Sequence, residues 1–333
     1  MNQEPLLSIN NKYNVFEGIV YTDLENAAIK QEKSKWVHTE IVFNEDTKGF
    51  NAMSPDEQRY IKHIVSFSAV SDQLVNSNLL NRFLLEITDS SAIRFLSQQV
   101  FIEEQHRRTY GEMLLTIVPD KHERIKLMTP HEHEPSIAKK IAWIEKWINS
   151  SASIGQRLVA FIIVEGIFFS SLFCGFYWLK FKGSKLPGLI QANEFISRDE
   201  TMHWDFSALL LDKIINKPSR DVVISMFREA VEVEHEFVDG SLPYDLSGMN
   251  ANQMKQYVEY VADFVLQSVQ CINNDNTIGY VGPIFNTPNP FDWMINMSVS
   301  VLTNYFERIP TNYQHINKNK QTLINEFALD TEF

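Results

Sequence analysis

Twice in this chain a helical stretch carries Glu-x-x-His, and each time a lone carboxylate sits on an earlier helical stretch. Asp72 precedes Glu103 and His106, and Glu165 precedes Glu200 and His203. Residues i and i+3 share one helix face, so both members of each pair point the same way. A doubled set of this kind is an established means for a four-helix bundle to hold two metal ions in its core. The pattern constrains the fold more than any propensity does, because four separate helices must run side by side for the six side chains to meet.

The rest of the sequence agrees with an all-α reading. Aromatic and β-branched residues are scattered, and helical spacing dominates over any sustained alternation. Ser54-Pro55-Asp56-Glu57 is a helix start, with a capping serine, a proline in the first turn and a glutamate closing a capping box. That helix should run to about Arg82. A second, starting near Asp89–Ser91, carries Glu103 and His106 and ends around Ile117–Asp120. Met128–Pro135 reads as a loop, 151–180 as one long apolar helix, and Gly183–Pro187 as a turn. Another long helix carries Glu200 and His203 and stops before Pro218. Helices are expected near 219–238 and 251–273, loop from Asn273 to Pro290, and a last helix near Phe291–Arg308.

A length of 333 residues with 44% hydrophobic content is ample for a large core. A net charge of −12 argues against a nucleic-acid surface. Cys174 and Cys271 are expected to be buried thiols in a reducing compartment, and the N-terminus has no signal-peptide pattern, so a cytoplasmic protein is expected. One stretch, Leu158–Leu179, is long and apolar enough to span a bilayer, with Glu165 its one charged residue. The other helices are amphipathic, which favours a bundle with this helix at its centre and no membrane.

A lone Glu-x-x-His is weak evidence, and the chain supplies its own control. Glu232 and His235 have the same spacing but lie in an acidic run, where a solvated face is the simpler reading. His131 and His133 lie in a proline-bounded loop and read as surface. Glu165 is different: Phe161, Ile162, Phe168 and Phe169 surround it in sequence. Burying an unpaired carboxylate there costs several kcal/mol, so it is either protonated or faces a cation. Two carboxylates about 4 Å apart repel by roughly 4 kcal/mol at an effective dielectric of about 20. Two divalent cations would cancel the charge of Asp72, Glu103, Glu165 and Glu200. Oxygen-rich ligands with two imidazoles suit iron or manganese better than a tetrahedral zinc.

At these residues the chain resembles the small subunit of class I ribonucleotide reductase. The stretches that carry the likeness are SDQLVNSNL, IEEQHRRTY, VEGIFFSSLF, ISRDETMHWDF and NPFDWM, and the ending FALDTEF looks like the eukaryotic and poxviral branch. The resemblance implies a ferritin-like bundle with a core di-metal carboxylate site, two iron ions that are oxo-bridged when oxidised (manganese being possible), and a homodimer. It puts Asp72, Glu103, His106, Glu165, Glu200 and His203 at the ligand positions and Tyr110 in the place of a radical-bearing tyrosine. Phe169, Phe173 and Ile196 take the positions lining its pocket. Trp36, Asp199 and Tyr313 take those of the radical relay. Two departures stand out: Arg107 where serine is usual, and Val42 where an acidic residue is usual.

The resemblance further implies three segments: an N-terminal arm over 1–35, the di-metal helical domain over 36–308, and a flexible tail over 309–333. In that tail Phe327, Leu329 and Phe333 would dock on the large subunit, the tail staying disordered until then; a frayed terminus is the plainer alternative. The expected function is generation of a tyrosyl radical for ribonucleoside-diphosphate reduction in the partner. The competing expectations are a ferritin-like iron store and another di-metal oxidase.

Overall fold

The structure is a computed structural model in which residues 4–8 and 19–297 are described. Tyr313, Phe327, Leu329 and Phe333, the expected tail and the far part of the last expected helix lie outside the described residues. The chain divides into two units, Met1–Phe291 and Asp292–Phe333.

The first unit is mainly helical over its described residues. In order it contains α1 (Thr22–Lys33), α2 (Asp46–Asn51), α3 (Pro55–Asn78), a π-helical turn (Leu79–Phe83), α4 (Leu84–Glu86) and α5 (Ser90–Ile117). It continues with α6 (Lys121–Met128), α7 (Pro135–Ile148), α8 (Ile154–Gly166), α9 (Ser170–Phe181), α10 (Pro187–Lys213), α11 (Arg220–Ser241) and α12 (Ala251–Leu266). The bundle core pairs α3 with α5 and α8 with α10, while α1 lies across α5 and α10, and α11 and α12 cover α8. The short second unit shows α13 (Asp292–Met297), at the start of the last expected helix.

Local chemistry sets the helix starts. Ser54 accepts from the Glu57 backbone N–H while Glu57 answers at the Ser54 N–H, the capping box read from the sequence. Asp89 caps α5 through the Ala92 N–H. The start of α10 is capped from a distance: Asp46 of α2 accepts from the N–H groups of Gly188 and Leu189 at 3.0 and 2.9 Å. This close approach needs a glycine, since a Cβ on Gly188 would lie 2.6 Å from the Phe43 ring and 2.7 Å from the Val42 carbonyl.

Several expectations are corrected. The apolar stretch is two helices, because Ile167–Phe169 leave the α-helical ladder. There the Ile163 carbonyl accepts from both Ile167 N–H (2.8 Å) and Phe168 N–H (3.2 Å), a widened turn that ends α8 one residue after Glu165. The span-like window is 100% buried, so the surface that could meet lipid meets protein instead. The amphipathic helix α7 lies in a stretch for which no helix was expected, and α1 lies within the expected arm.

Helix α12 stops at Leu266, and the expected loop holds a hairpin, β1 (Gln270–Ile272) against β2 (Ile278–Tyr280), with Gln270 opposite Tyr280. Three-residue strands are too short to leave an alternating signature. After the hairpin the Asp263 carboxylate gathers the N–H groups of Ile284, Phe285 and Asn286, which orders the chain there. Cys174 and Cys271 are buried and not joined in a disulfide, as expected.

Candidate metal centre

Four helices bring the six expected ligands together. Asp72 comes from α3, Glu103 and His106 from α5, Glu165 from α8, and Glu200 and His203 from α10, all 0% exposed. Their ligating atoms form two overlapping groups: Asp72, Glu103 and His106, and then Glu103, Glu165, Glu200 and His203. Within each group the atoms lie within 4.8 Å of one another. Glu103 belongs to both.

Glu103 and Glu200 stand between the two imidazoles. His106 Nδ1 lies 3.2 Å from Glu103 Oε2 and 3.1 Å from Glu200 Oε1. His203 Nδ1 lies 2.9 Å from Glu103 Oε1 and 3.0 Å from Glu200 Oε2. Each carboxylate thus offers one oxygen to each side, which is the geometry of a bridging ligand.

The fit to cations rests on what is left unsatisfied. Asp72 Oδ2, Glu103 Oε2, His106 Nδ1, Glu165 Oε2 and Glu200 Oε1 are buried without a hydrogen-bond partner, all belonging to this one cluster. Buried polar atoms are rarely left so. Oxygen-rich donors with two imidazole nitrogens fit two divalent cations of the iron or manganese type.

The electrostatics tell the same story. Burial raises the Asp72 carboxyl well above its usual range, and Glu103 adds to this. Burial likewise raises Glu165, with Glu200 and Glu103 next. For His106 burial opposes the charged form, but Asp199, Glu103 and Glu200 outweigh it and lift the imidazole well above its ordinary value. His203 is lifted to about 9, its burial overcome by Glu103 and Glu200. Glu200 moves the other way: His203 and hydrogen bonds to it outweigh burial. Carboxylates and neutral imidazoles are the ligating forms, so metal uptake displaces the protons that this cluster otherwise gathers.

Around the ligands lies an ordered second layer. Asp199 Oδ2 accepts from Trp36 Nε1 at 2.6 Å and sits 3.2 Å from His106 Nε2. A carboxylate oxygen only accepts, so His106 keeps a proton on Nε2 and turns Nδ1 toward the cluster. The Trp36 ring stacks over His106 at 5.9 Å and 22°. Sequence reasoning missed two members of this layer. Gln99 donates to Glu103 Oε1 (3.2 Å) and Glu165 Oε1 (3.1 Å), and Arg198 ties Asp199 Oδ1 to the Ser34 carbonyl. Gln99 lies four residues before Glu103, so helical spacing could have found it.

Tyr110 is 1% exposed, and the Ser68 hydroxyl lies beside its own. Burial raises its phenol well above the ordinary value, and Asp72 and Glu200 push the same way. Phe169, Phe173 and Ile196 are buried too, with Phe169 and Phe173 stacked at 5.8 Å and 18°. Arg107 turns outward, 41% exposed, and binds Glu104 through two hydrogen bonds of 2.8 Å. Glu232 is exposed and His235 faces the Lys255 carbonyl, both outside the cluster.

Comparison with known proteins follows this geometry. Residues 13–273 match the family model described as ribonucleotide reductase, small chain. The ribonucleoside-diphosphate reductase small chain of vaccinia virus (strain Ankara) is 40% identical over 331 residues, covering 99% of this chain and all of the viral one. That of Plasmodium falciparum (isolate Dd2) is 37% identical over all of this chain and 92% of its own. Among solved structures, the ribonucleotide reductase Rnr4 homodimer of Saccharomyces cerevisiae superposes with a TM-score of 0.76 at 32% identity, covering 86% of this chain and 88% of the yeast chain. The R2 subunit of Clostridium botulinum, at 23% identity and a TM-score of 0.73, shares the fold, with 84% of this chain and 88% of that one covered. With its ferritin-like bundle and its buried carboxylate–histidine cluster, the chain belongs to the ribonucleotide reductase small-chain family.

Proposed function

We propose that this chain generates and stores a tyrosyl radical on Tyr110 and passes it to a large reductase subunit that reduces ribonucleoside diphosphates. The observation that supports this reading is a fully buried Tyr110 one helical turn along from His106, whose carboxylate neighbours act on its phenol.

Two iron ions, or manganese, bound by Asp72, Glu103, His106, Glu165, Glu200 and His203 would supply the oxidising power of their reaction with oxygen. Everything else falls to the chain. Glu103 and Glu200, each with one oxygen toward either imidazole, would be the ligands shared by the two ions. Tyr110 gives up one electron and the proton of its hydroxyl. A phenol with almost no exposure is shut off from water and outside reductants, which would preserve the radical; Phe169, Phe173 and Ile196, all buried, would supply the apolar surroundings. Asp199 accepts from Trp36 while facing His106, giving a hydrogen-bonded line from the ligand to the indole. Along it an electron and a proton can leave toward the partner. Tyr313 would take the next step, and Phe327, Leu329 and Phe333 would dock the tail on the large subunit. The active form would be a homodimer in the cytoplasm. A plain iron store has no use for the Trp36–Asp199–His106 line.

Electron paramagnetic resonance after loading with iron and oxygen tests this reading. A tyrosyl signal that disappears in Tyr110→Phe is the expected result; a signal unchanged in that variant rules Tyr110 out. Truncation after Glu326 should abolish capture of the large subunit while leaving the signal intact.

A further inference from the structure

Outside the ligand cluster, a second set of charged side chains is sealed in the bundle. Lys140 of α7 and Glu234 of α11 are both 0% exposed and lie 2.6 Å apart. The Lys140 ammonium also donates to the Phe168 carbonyl at 2.6 Å, and its charge sits 3.9 and 3.8 Å from the ring centres of Phe67 and Phe237. Ser171 donates to the other Glu234 oxygen. Burial lowers Lys140 to about 8, against the pull of Glu234, and raises Glu234. A buried pair of this kind returns little net stability, because desolvation consumes most of its attraction. Its place in the fold points to another role.

Both contacts outside the pair fall on the widened turn between α8 and α9. Phe168 lies in that turn, and Ser171 is in the first turn of α9. Glu165 stands just before the turn and Phe169 ends it. A regular helix fixes its residues through its own ladder, whereas here the Ile163 carbonyl is shared between the Ile167 and Phe168 N–H groups, and the junction takes a donor from α7 at Phe168 and an acceptor from α11 at Ser171, the second residue of α9. We propose that Lys140 and Glu234 are positioning residues: they hold the Ile167–Phe169 turn and so fix where Glu165 meets the second metal ion and where Phe169 packs. The inference rests on the di-metal reading of the cluster. It assigns unequal effects to the two metal sites, since Glu165 belongs to the group with Glu200 and His203 and not to the group with Asp72 and His106.

Cobalt(II) titration of the metal-free protein, followed by visible absorbance, separates the alternatives. Glu165→Ala identifies which binding phase belongs to the Glu165 side. The double variant Lys140→Met/Glu234→Gln removes both charges together and leaves no unpaired buried ion. The expected result is a folded protein, by circular dichroism, in which the Glu165-side phase weakens by about tenfold, the size typical of lost outer-layer support. The other phase stays in place. Two unshifted phases, or equal weakening of both, would overturn the proposal. If the double variant does not fold, Ser171→Ala is read in the same way: a selective shift of the Glu165-side phase of about twofold or more supports the proposal, and no shift overturns it. Wild-type protein that takes up no cobalt(II) would overturn the metal reading itself, and this proposal with it.

Discussion

At the scale of single residues, the roles of the six ligands separate by how many neighbours each serves. Glu103 and Glu200 face both imidazoles, so Glu103→Ala or Glu200→Ala should abolish binding of both ions, whereas Glu165→Ala should spare one; metal content per chain by elemental analysis checks this. Asp199→Asn keeps the shape but can present an amide N–H where His106 needs an acceptor. Metal affinity should fall by about 10- to 100-fold, measurable by competition with a chelator. His63 offers a test far from the ligands. Burial first, and then Lys140, lower its imidazole to about 4 from 6.5. The unfolded chain therefore binds a proton below about 6.5 that the folded chain refuses until about 4. Its contribution is fully present above pH 6.5 and is lost as pH falls through that window, by about 3 kcal/mol in all. In His63→Gln the acid limb of a stability–pH curve should be shallower by up to one proton. The two Glu-x-x-His pairs were legible from spacing, because i, i+3 pairs on separate helices are rarely doubled by accident, and the structure gathers them with Asp72 and Glu165. Gln99 and Arg198 were not singled out, because nothing in a lone glutamine or arginine announces a buried acceptor.

At the scale of elements, capping was legible wherever cap and helix are neighbours in sequence, as at Ser54 and Asp89. It was hidden where the cap comes from elsewhere. Asp46 reaches the first turn of α10 across a separation of 142 residues, and that helix carries Glu200 and His203. Asp46→Ala should cost about 1–2 kcal/mol of stability, read from urea denaturation at neutral pH. Some metal affinity should go with it, since two ligands ride on that helix. The broken apolar stretch was read as one helix because hydrophobicity marks burial rather than continuity. The departure at Ile167–Phe169 depends on donors supplied by α7, which no local pattern records. The hairpin after α12 escaped for a similar reason, its strands being only three residues each.

At the scale of the molecule, the ligand cluster concentrates negative charge in the least hydrated part of the fold. Cations that bind the folded state and not the unfolded one add to stability by mass action, by about 2.7 kcal/mol at a free concentration of 100 times the dissociation constant. Metal-free protein should therefore melt several degrees below loaded protein near neutral pH in calorimetry. Equal melting temperatures would mean that the carboxylates are not held apart by cations. Architecture was legible at this scale because one ligand pattern dictates four helices in register. The covering helices α11 and α12 were legible in outline, and α7 was not, since its sequence carries no site residue to draw attention to it.

The stretch from Ile154 to Phe181 is largely buried in the finished fold, yet by length and composition it is able to cross a membrane. During synthesis it leaves the ribosome before α10, the helix that will lie against it. For that interval the chain is exposed to the machinery that inserts hydrophobic segments into bilayers. Its lone acid, Glu165, is then uncompensated and makes insertion costly. On the di-metal reading, a carboxylate that would serve metals in the folded protein would also discourage the nascent chain from being sorted into a membrane, and Glu165→Leu should raise the membrane-associated fraction of newly made chains.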